Sequence, residues 1–173
     1  MKSQMNEITS LSKRLGEVLL EKGMSVTTAE SCTGGGIAAA ITEVAGSSGY
    51  FNCAFVTYSN EMKSQLVGVN SAILEEHGAV SKLVVEQMAL GAAKKAKANV
   101  SIAVSGIAGP RGGTEQKPVG TVWIAIAQVN TVDEDKTTVW SKQYLFSGDR
   151  KSIREQTVKA SLHKALALLE EKN

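Results

Sequence analysis

The stretch that decides the fold is residues 119–146, VGTVWIAIAQVNTVDEDKTTVWSKQYLF. Two β-prone runs, Val119 to Val129 and Thr138 to Phe146, flank a polar link from Asn130 to Lys136, which predicts an antiparallel strand pair. Just upstream, Val100 to Val104 reads as another apolar strand, followed by a glycine-rich loop. Further back the chain alternates between the two periods. Ser25 to Thr28 is short and β-prone, and Cys53 to Tyr58 reads as a buried strand because Ala54, Phe55 and Val56 leave no polar face.

The helical period fills the gaps. Ile8, Leu11, Leu15, Val18 and Leu19 recur at three- and four-residue steps before Gly23, so Asn6 to Lys22 is an amphipathic helix. Gly34 to Val44 is an alanine-rich helix, Asn60 caps a short one through Leu66, and Ser81 caps a longer one through Lys97. Asp149 opens a last helix with Ile153, Val158, Leu162, Ala165, Leu166 and Leu169 facing the core. Helices between early strands, then a strand pair and a closing helix, predict an α/β protein: a three-layer α/β/α sandwich with a mixed sheet. At 173 residues without repeat or linker, a single domain over 1–173 is expected.

Composition excludes several functions. With 19 basic and 17 acidic side chains the net charge is +2, which gives no electrostatic case for a nucleic-acid surface or a polybasic membrane contact. The longest apolar stretches, Gly36 to Ile41 and Val122 to Ala127, are far shorter than the ~20 residues of a membrane span. Residues 1–16 do not resemble a signal peptide, so a cytoplasmic location is expected. Cys32, Cys53, His77 and His163 offer neither a disulfide framework nor zinc-ligand spacing, and no metal or other cofactor is expected.

Three strand ends carry the candidate chemistry. In TTAESCTGGG (27–36) a strand-to-helix turn can expose Ser31 as a nucleophile while N–H groups near Thr33, Gly34 and Gly35 face a developing oxyanion. The plainer reading makes Ser31 or Thr33 a helix cap. In FVTYSNEMK (55–63), Tyr58 and Lys63 are five residues apart and can share one mouth, where a desolvated Lys63 could serve as base; the plainer reading is a solvated surface lysine. In SGIAGPRGGT (105–114), four glycines after a strand permit an anion nest or merely a long turn. The spacing fits neither a P-loop nor a GxGxxG fingerprint. Arg150, in the first turn of the last helix, opposes the macrodipole and suggests a phosphate or carboxylate partner. Cys32 reads as a packing residue, and two S-x-x-K matches at Ser10 and Ser161 lie inside ordinary helices.

Taken together, TTAESCTGG, VTYSNEMK, SGIAGPRGG, KPVGTVW and FSGDR occur in the order of the CinA carboxyl-terminal domain family, which the chain resembles from about its first helix to its last. It looks closest to the stand-alone nicotinamide-nucleotide amidohydrolases. That resemblance implies hydrolysis of nicotinamide mononucleotide to nicotinate mononucleotide and ammonia in pyridine-nucleotide recycling; the rival readings are a serine amidohydrolase acting on another small amide and a non-catalytic nucleotide-binding or regulatory member of the same fold. The resemblance also implies Ser31 as nucleophile and Lys63 as its lysine, with Tyr58 the third expected catalytic residue, helping or relaying the proton that Lys63 takes from Ser31. Thr33, Gly34, Gly35, Asn60, Ser105, Gly106, Gly109, Gly112, Gly113 and Arg150 are the expected substrate-binding positions. The expected partner is a small nucleotide, with no nucleic acid or membrane, and a homo-oligomer, a dimer, is the expected assembly. The metal-dependent pyrophosphatase of the separate amino-terminal domain in full-length members is not implied. Gly36, where the family often has a larger residue, and Arg111, where it usually has a small or acidic one, depart from the pattern.

Overall fold

The computed structural model describes residues 2–130 and 136–171, residues 2–6 by backbone alone. In chain order the elements are α1 (Lys2–Lys22), β1 (Val26–Glu30), α2 (Gly36–Thr42), a 3-10 turn (Ser47–Gly49), β2 (Phe51–Val56), α3 (Asn60–Val67), α4 (Ser71–His77), α5 (Lys82–Ala96), β3 (Val100–Gly106), β4 (Thr121–Gln128), β5 (Thr138–Leu145) and α6 (Arg150–Glu170). The five strands form one sheet in the order β2-β1-β3-β4-β5. β1 runs parallel to β2 and β3, while the β3/β4 and β4/β5 pairs are antiparallel. Helices α1, α2 and α6 cover one face; α5, with α3 and α4 against it, covers the other. The architecture is the expected three-layer α/β/α sandwich with a mixed sheet.

Strand side chains sort by face. Val26, Val100, Ile102, Val104, Val122, Ile124 and Ile126 enter the larger core with Leu15, Leu19, Ile37 and Leu162. Positions of opposite parity, Ala29, Ala103, Ala125 and Ala127, meet Val85, Met88, Ala89 and Ala92 of α5. Alanine on that face lets the helix lie close to the sheet. At Gly91 the approach is closer still: a Cβ there would stand 1.7 Å from the Val67 carbonyl oxygen.

The parallel β2-β1-β3 portion also determines where a site can form. From β1 the chain crosses one face through α2 to reach β2, then returns over the other face through α3, α4 and α5 to β3. Such a reversal opens a crevice beyond the carboxyl ends of β1 and β3.

Several local expectations need correction. β2 is an edge strand paired only with β1, so it is half-buried, with Val56 48% exposed, and ends two residues before Tyr58. α2 cannot start at Gly34, because Gly34 and Gly35 take φ values of +59° and +93°. Ser59, not Asn60, caps α3, its Oγ accepting from the Met62 N–H at 3.1 Å. Ser81 precedes α5 without capping it, donating instead to the Gly78 carbonyl. Helix α4 went unanticipated; the Asn70 side chain caps it. Helix α1 starts at Lys2, before Asn6. Asp149 caps α6 as expected, accepting from Ser152 N–H at 2.8 Å. Most of the expected link between β4 and β5, residues 131–135, lies outside the described residues. No helix among the described residues is long and apolar enough to cross a membrane.

Gly91→Ala forces a methyl group against the Val67 carbonyl and is expected to cost roughly 1–3 kcal/mol of unfolding free energy. Urea denaturation reads this directly, and a variant as stable as the parent would show that α5 tolerates a gap there.

Candidate active site

At the end of β1 the chain leaves the sheet through a five-residue turn, Ser31 to Gly35. The Ser31 N–H donates to the Val104 carbonyl at 3.1 Å, so the serine is held as a last rung between β1 and β3. Gly34 N–H donates back to Ser31 and Gly36 N–H to Thr33, closing the turn. The N–H groups of Cys32, Thr33 and Gly35 have no backbone acceptor among the described residues.

Lys63 comes to this turn from α3. It is 1% exposed, and its Nζ lies 3.2 Å from Ser31 Oγ, 3.0 Å from the Thr57 carbonyl oxygen and 3.4 Å from that of Tyr58. The surface reading of Lys63 is therefore overturned, and so is Ser31 as a helix cap. Burial pushes the Lys63 pKa below the usual lysine range, against a smaller opposing influence from Cys32. Cys32, 4% exposed, has its thiol pushed up to about 11 by burial, so it is protonated at neutral pH.

The remaining candidates divide into those at the mouth and those with structural engagements. Tyr58 meets Lys63 only through its main-chain carbonyl; its side chain is 59% exposed and its phenol oxygen accepts from Arg150 Nη2 at 2.9 Å. Arg150 Nη1 donates to the Gly109 carbonyl at 2.8 Å, so one guanidinium joins the loop after β2 to the loop after β3. Ser105 is 1% exposed, next to Val104, and its Oγ has no partner among the described residues. Three of these glycines answer to packing: a Cβ at Gly106, the last residue of β3, or at Gly109 would come within 2.6 Å of Val122 or Val119, and one at Gly113 within 2.7 Å of the Val119 nitrogen. Gly112 has only ordinary clearance and φ +94°. Asn60 is exposed in the first turn of α3, beside Glu61, Ser64 and Ser71, and is not joined to the Ser31 and Lys63 pair. Arg111 is exposed, and Gly36 faces Val158 of α6, where a Cβ would come within 3.2 Å.

Two residues of this region were missed. Glu30, 0% exposed, accepts from Thr28 Oγ1, Thr33 Oγ1, Ile37 N and Ala38 N at 3.1, 2.6, 3.0 and 2.8 Å. Arg154 donates to the Thr33 carbonyl at 2.8 Å, one helical turn beyond Arg150. A glutamate at the end of the short β-prone run that leads straight into Ser31 is the signal that could have drawn attention to Glu30; no sequence signal distinguishes Arg154 from a surface arginine. Among the described residues no group of three or more His, Cys, Asp or Glu is arranged to hold a metal ion.

Known proteins resemble this chain along most of its length. The nicotinamide-nucleotide amidohydrolase PncC of Escherichia coli (strain K12) is 50% identical over 157 residues, 91% of this chain and 92% of that protein. The protein of the same name from Pseudomonas putida is 49% identical over 164 residues, 95% of this chain and 98% of that one. Among solved structures, the competence/damage inducible protein CihA from Agrobacterium tumefaciens superposes with a TM-score of 0.88 at 40% identity, covering 94% of this chain and 95% of its own. A family model for the CinA C-terminal domain matches residues 8–170. That match reaches from α1 to the end of α6, and the chain belongs to the CinA C-terminal domain family.

Proposed function

We propose that this chain hydrolyses the carboxamide of nicotinamide mononucleotide to nicotinate mononucleotide and ammonia, with Ser31 as nucleophile and Lys63 as its base. The 3.2 Å contact between Lys63 Nζ and Ser31 Oγ, buried from water, is the observation that carries the reading. The names of the relatives in E. coli and P. putida support the substrate.

Desolvation favours the neutral form of the Lys63 amine. Two carbonyl oxygens, of Thr57 and Tyr58, can only accept, so they take the two N–H bonds and leave the lone pair for the Ser31 hydroxyl proton. Ser31 Oγ attacks the carboxamide carbon while that proton moves to Nζ. The resulting ammonium protonates the leaving nitrogen and ammonia departs. Water then gives a proton to Nζ, attacks the ester, and releases the carboxylate as Ser31 recovers its proton. N–H groups of Cys32, Thr33 and Gly35 are the candidate oxyanion donors; one such donor is typically worth ~3–4 kcal/mol of barrier. The Tyr58 phenol has no proton to move in this cycle; with Arg150 it forms the rim that meets the nucleotide. Arg150 uses two of its five N–H donors on Tyr58 and Gly109, and the others are available to a phosphate. In this reading residues 1–173 work as one domain in pyridine-nucleotide recycling.

Incubation with nicotinamide mononucleotide is expected to release ammonia and nicotinate mononucleotide in equal amounts. Ser31→Ala should abolish release while product binding persists, and Lys63→Arg should lose several orders of magnitude because a guanidinium stays protonated. Normal turnover in either variant would remove that residue from the mechanism.

The pH dependence has a definite sign. Below its lowered pKa the amine holds a proton and cannot accept another, so kcat/KM should rise with pH and level off before the usual lysine range. An inflection at or above the ordinary lysine value would contradict a desolvated base.

Phosphate recognition predicts that the nucleoside is a poorer substrate than the nucleotide by roughly ten- to a hundredfold, the worth of one charge-assisted hydrogen bond of ~1.5–3 kcal/mol. Arg150→Ala should narrow that gap, and equal efficiency of the two compounds with the parent protein would exclude the assignment.

A further inference from the structure

Helix α2 begins without an ordinary cap. Its N-cap residue is Gly35, which has no side chain to offer, and the helix is only seven residues long. A helix this short does not persist on its own. Its first free N–H groups, those of Ile37 and Ala38, are taken by the two oxygens of Glu30, which belongs to the strand on the other side of the turn. The same carboxylate accepts the Thr33 hydroxyl from inside the turn, at 2.6 Å. One buried side chain therefore ties together the end of β1, the middle of the Ser31 to Gly35 turn and the start of α2. Among the described residues no cation is paired with it; its charge is held by four donors and by the positive end of the helix.

Thr33 is also held from its other side. While Glu30 takes its hydroxyl, Arg154 of α6 takes its carbonyl at 2.8 Å. Thr33 is 0% exposed, which makes it the fixed post of the turn. Ser31 lies two residues away, with its N–H bound to Val104 and its hydroxyl facing Lys63.

We infer that Glu30 is a positioning residue for the Ser31 hydroxyl, acting through Thr33 and the first turn of α2 and touching no substrate. This rests on the hydrolase reading above. Glutamine at this position has one oxygen and one NH₂ group, so it must turn a donor toward groups that are themselves donors. The turn then relaxes, and a displacement of ~1 Å at a nucleophile costs on the order of 10²-fold in rate.

The test measures kcat and KM for nicotinamide mononucleotide in Glu30→Gln, together with alkylation of Cys32 by iodoacetamide, read by peptide mass spectrometry with Cys53 as internal reference. Cys32 follows Ser31 directly and is 4% exposed, so its labelling reports order in the turn without reference to hydrolysis. The expected result is a kcat lowered by about 100-fold with KM changed less than about threefold, and Cys32 labelled at least about tenfold faster relative to Cys53. Removing the Glu30 charge also eases ionisation of Cys32, so Thr33→Val, which keeps the carboxylate, serves as the control and should give shifts of the same sign. If Glu30→Gln shows no cooperative melting, Thr33→Val alone decides. A kcat within about threefold of the parent in the folded variant, or unchanged Cys32 labelling in Thr33→Val, overturns the inference. Failure of the parent protein to hydrolyse the mononucleotide sinks the hydrolase reading instead, and the labelling still decides the role of Glu30.

Discussion

A primary amine without bulk water is the constraint around which the rest of this molecule is arranged. Lys63 Nζ has three oxygen partners and almost no solvent contact, a position that charged lysine tolerates poorly. Keeping it there requires α3 to be held at a set depth and rotation. Ser59 sets the start of the helix and Gly68, at φ +71°, its end. Val67, on its last turn, is pressed against Gly91 of α5. The alanine face of the central strands lets α5 sit low enough to carry α3 to the carboxyl end of the sheet. Packing on the α5 side thus sets how deeply one amine is buried, and that burial lowers its pKa.

The opposite layer holds the turn to which that nitrogen is bound. Branched side chains of β1, β3 and β4 make the large core with α1, α2 and α6, and α6 sends two arginines, one turn apart, to the Ser31 turn and to the rim. Arg154 grips the Ser31 turn from behind through Thr33, while Arg150 spans the front from Gly109 to Tyr58. The site is therefore assembled from both layers, with the sheet edge as the common reference.

Much of this was legible in the sequence. The apolar runs at 100–104 and 122–127 and the helical periods of α1 and α6 established the layers, because their side chains are buried on the faces that periodicity assigns. Strand β2 was misread since a run such as Cys53 to Val56 looks the same at an edge as at the centre; only pairing distinguishes them. The Ser31 turn and Lys63 stood out through neighbouring glycines and the family strings, yet no local pattern says that α3 tilts its lysine inward. Glu30 escaped because its partners at 33, 37 and 38 are donated by backbone and hydroxyl groups that sequence does not display. The loop glycines show the converse: four in a row of eight suggested an anion nest, whereas three of them make room for Val119 and Val122.

The bridge through Arg150 has a consequence for how the protein loses function. Residues 31, 63, 104, 109 and 150 come from four separate stretches of the chain, and their mutual contacts run through the sheet and both helical layers. No peripheral unit could fray and take the site with it while leaving the rest intact. Inactivation by heat or denaturant should then coincide with the cooperative melting of the whole sheet, so that catalytic output serves as a faithful gauge of the native population.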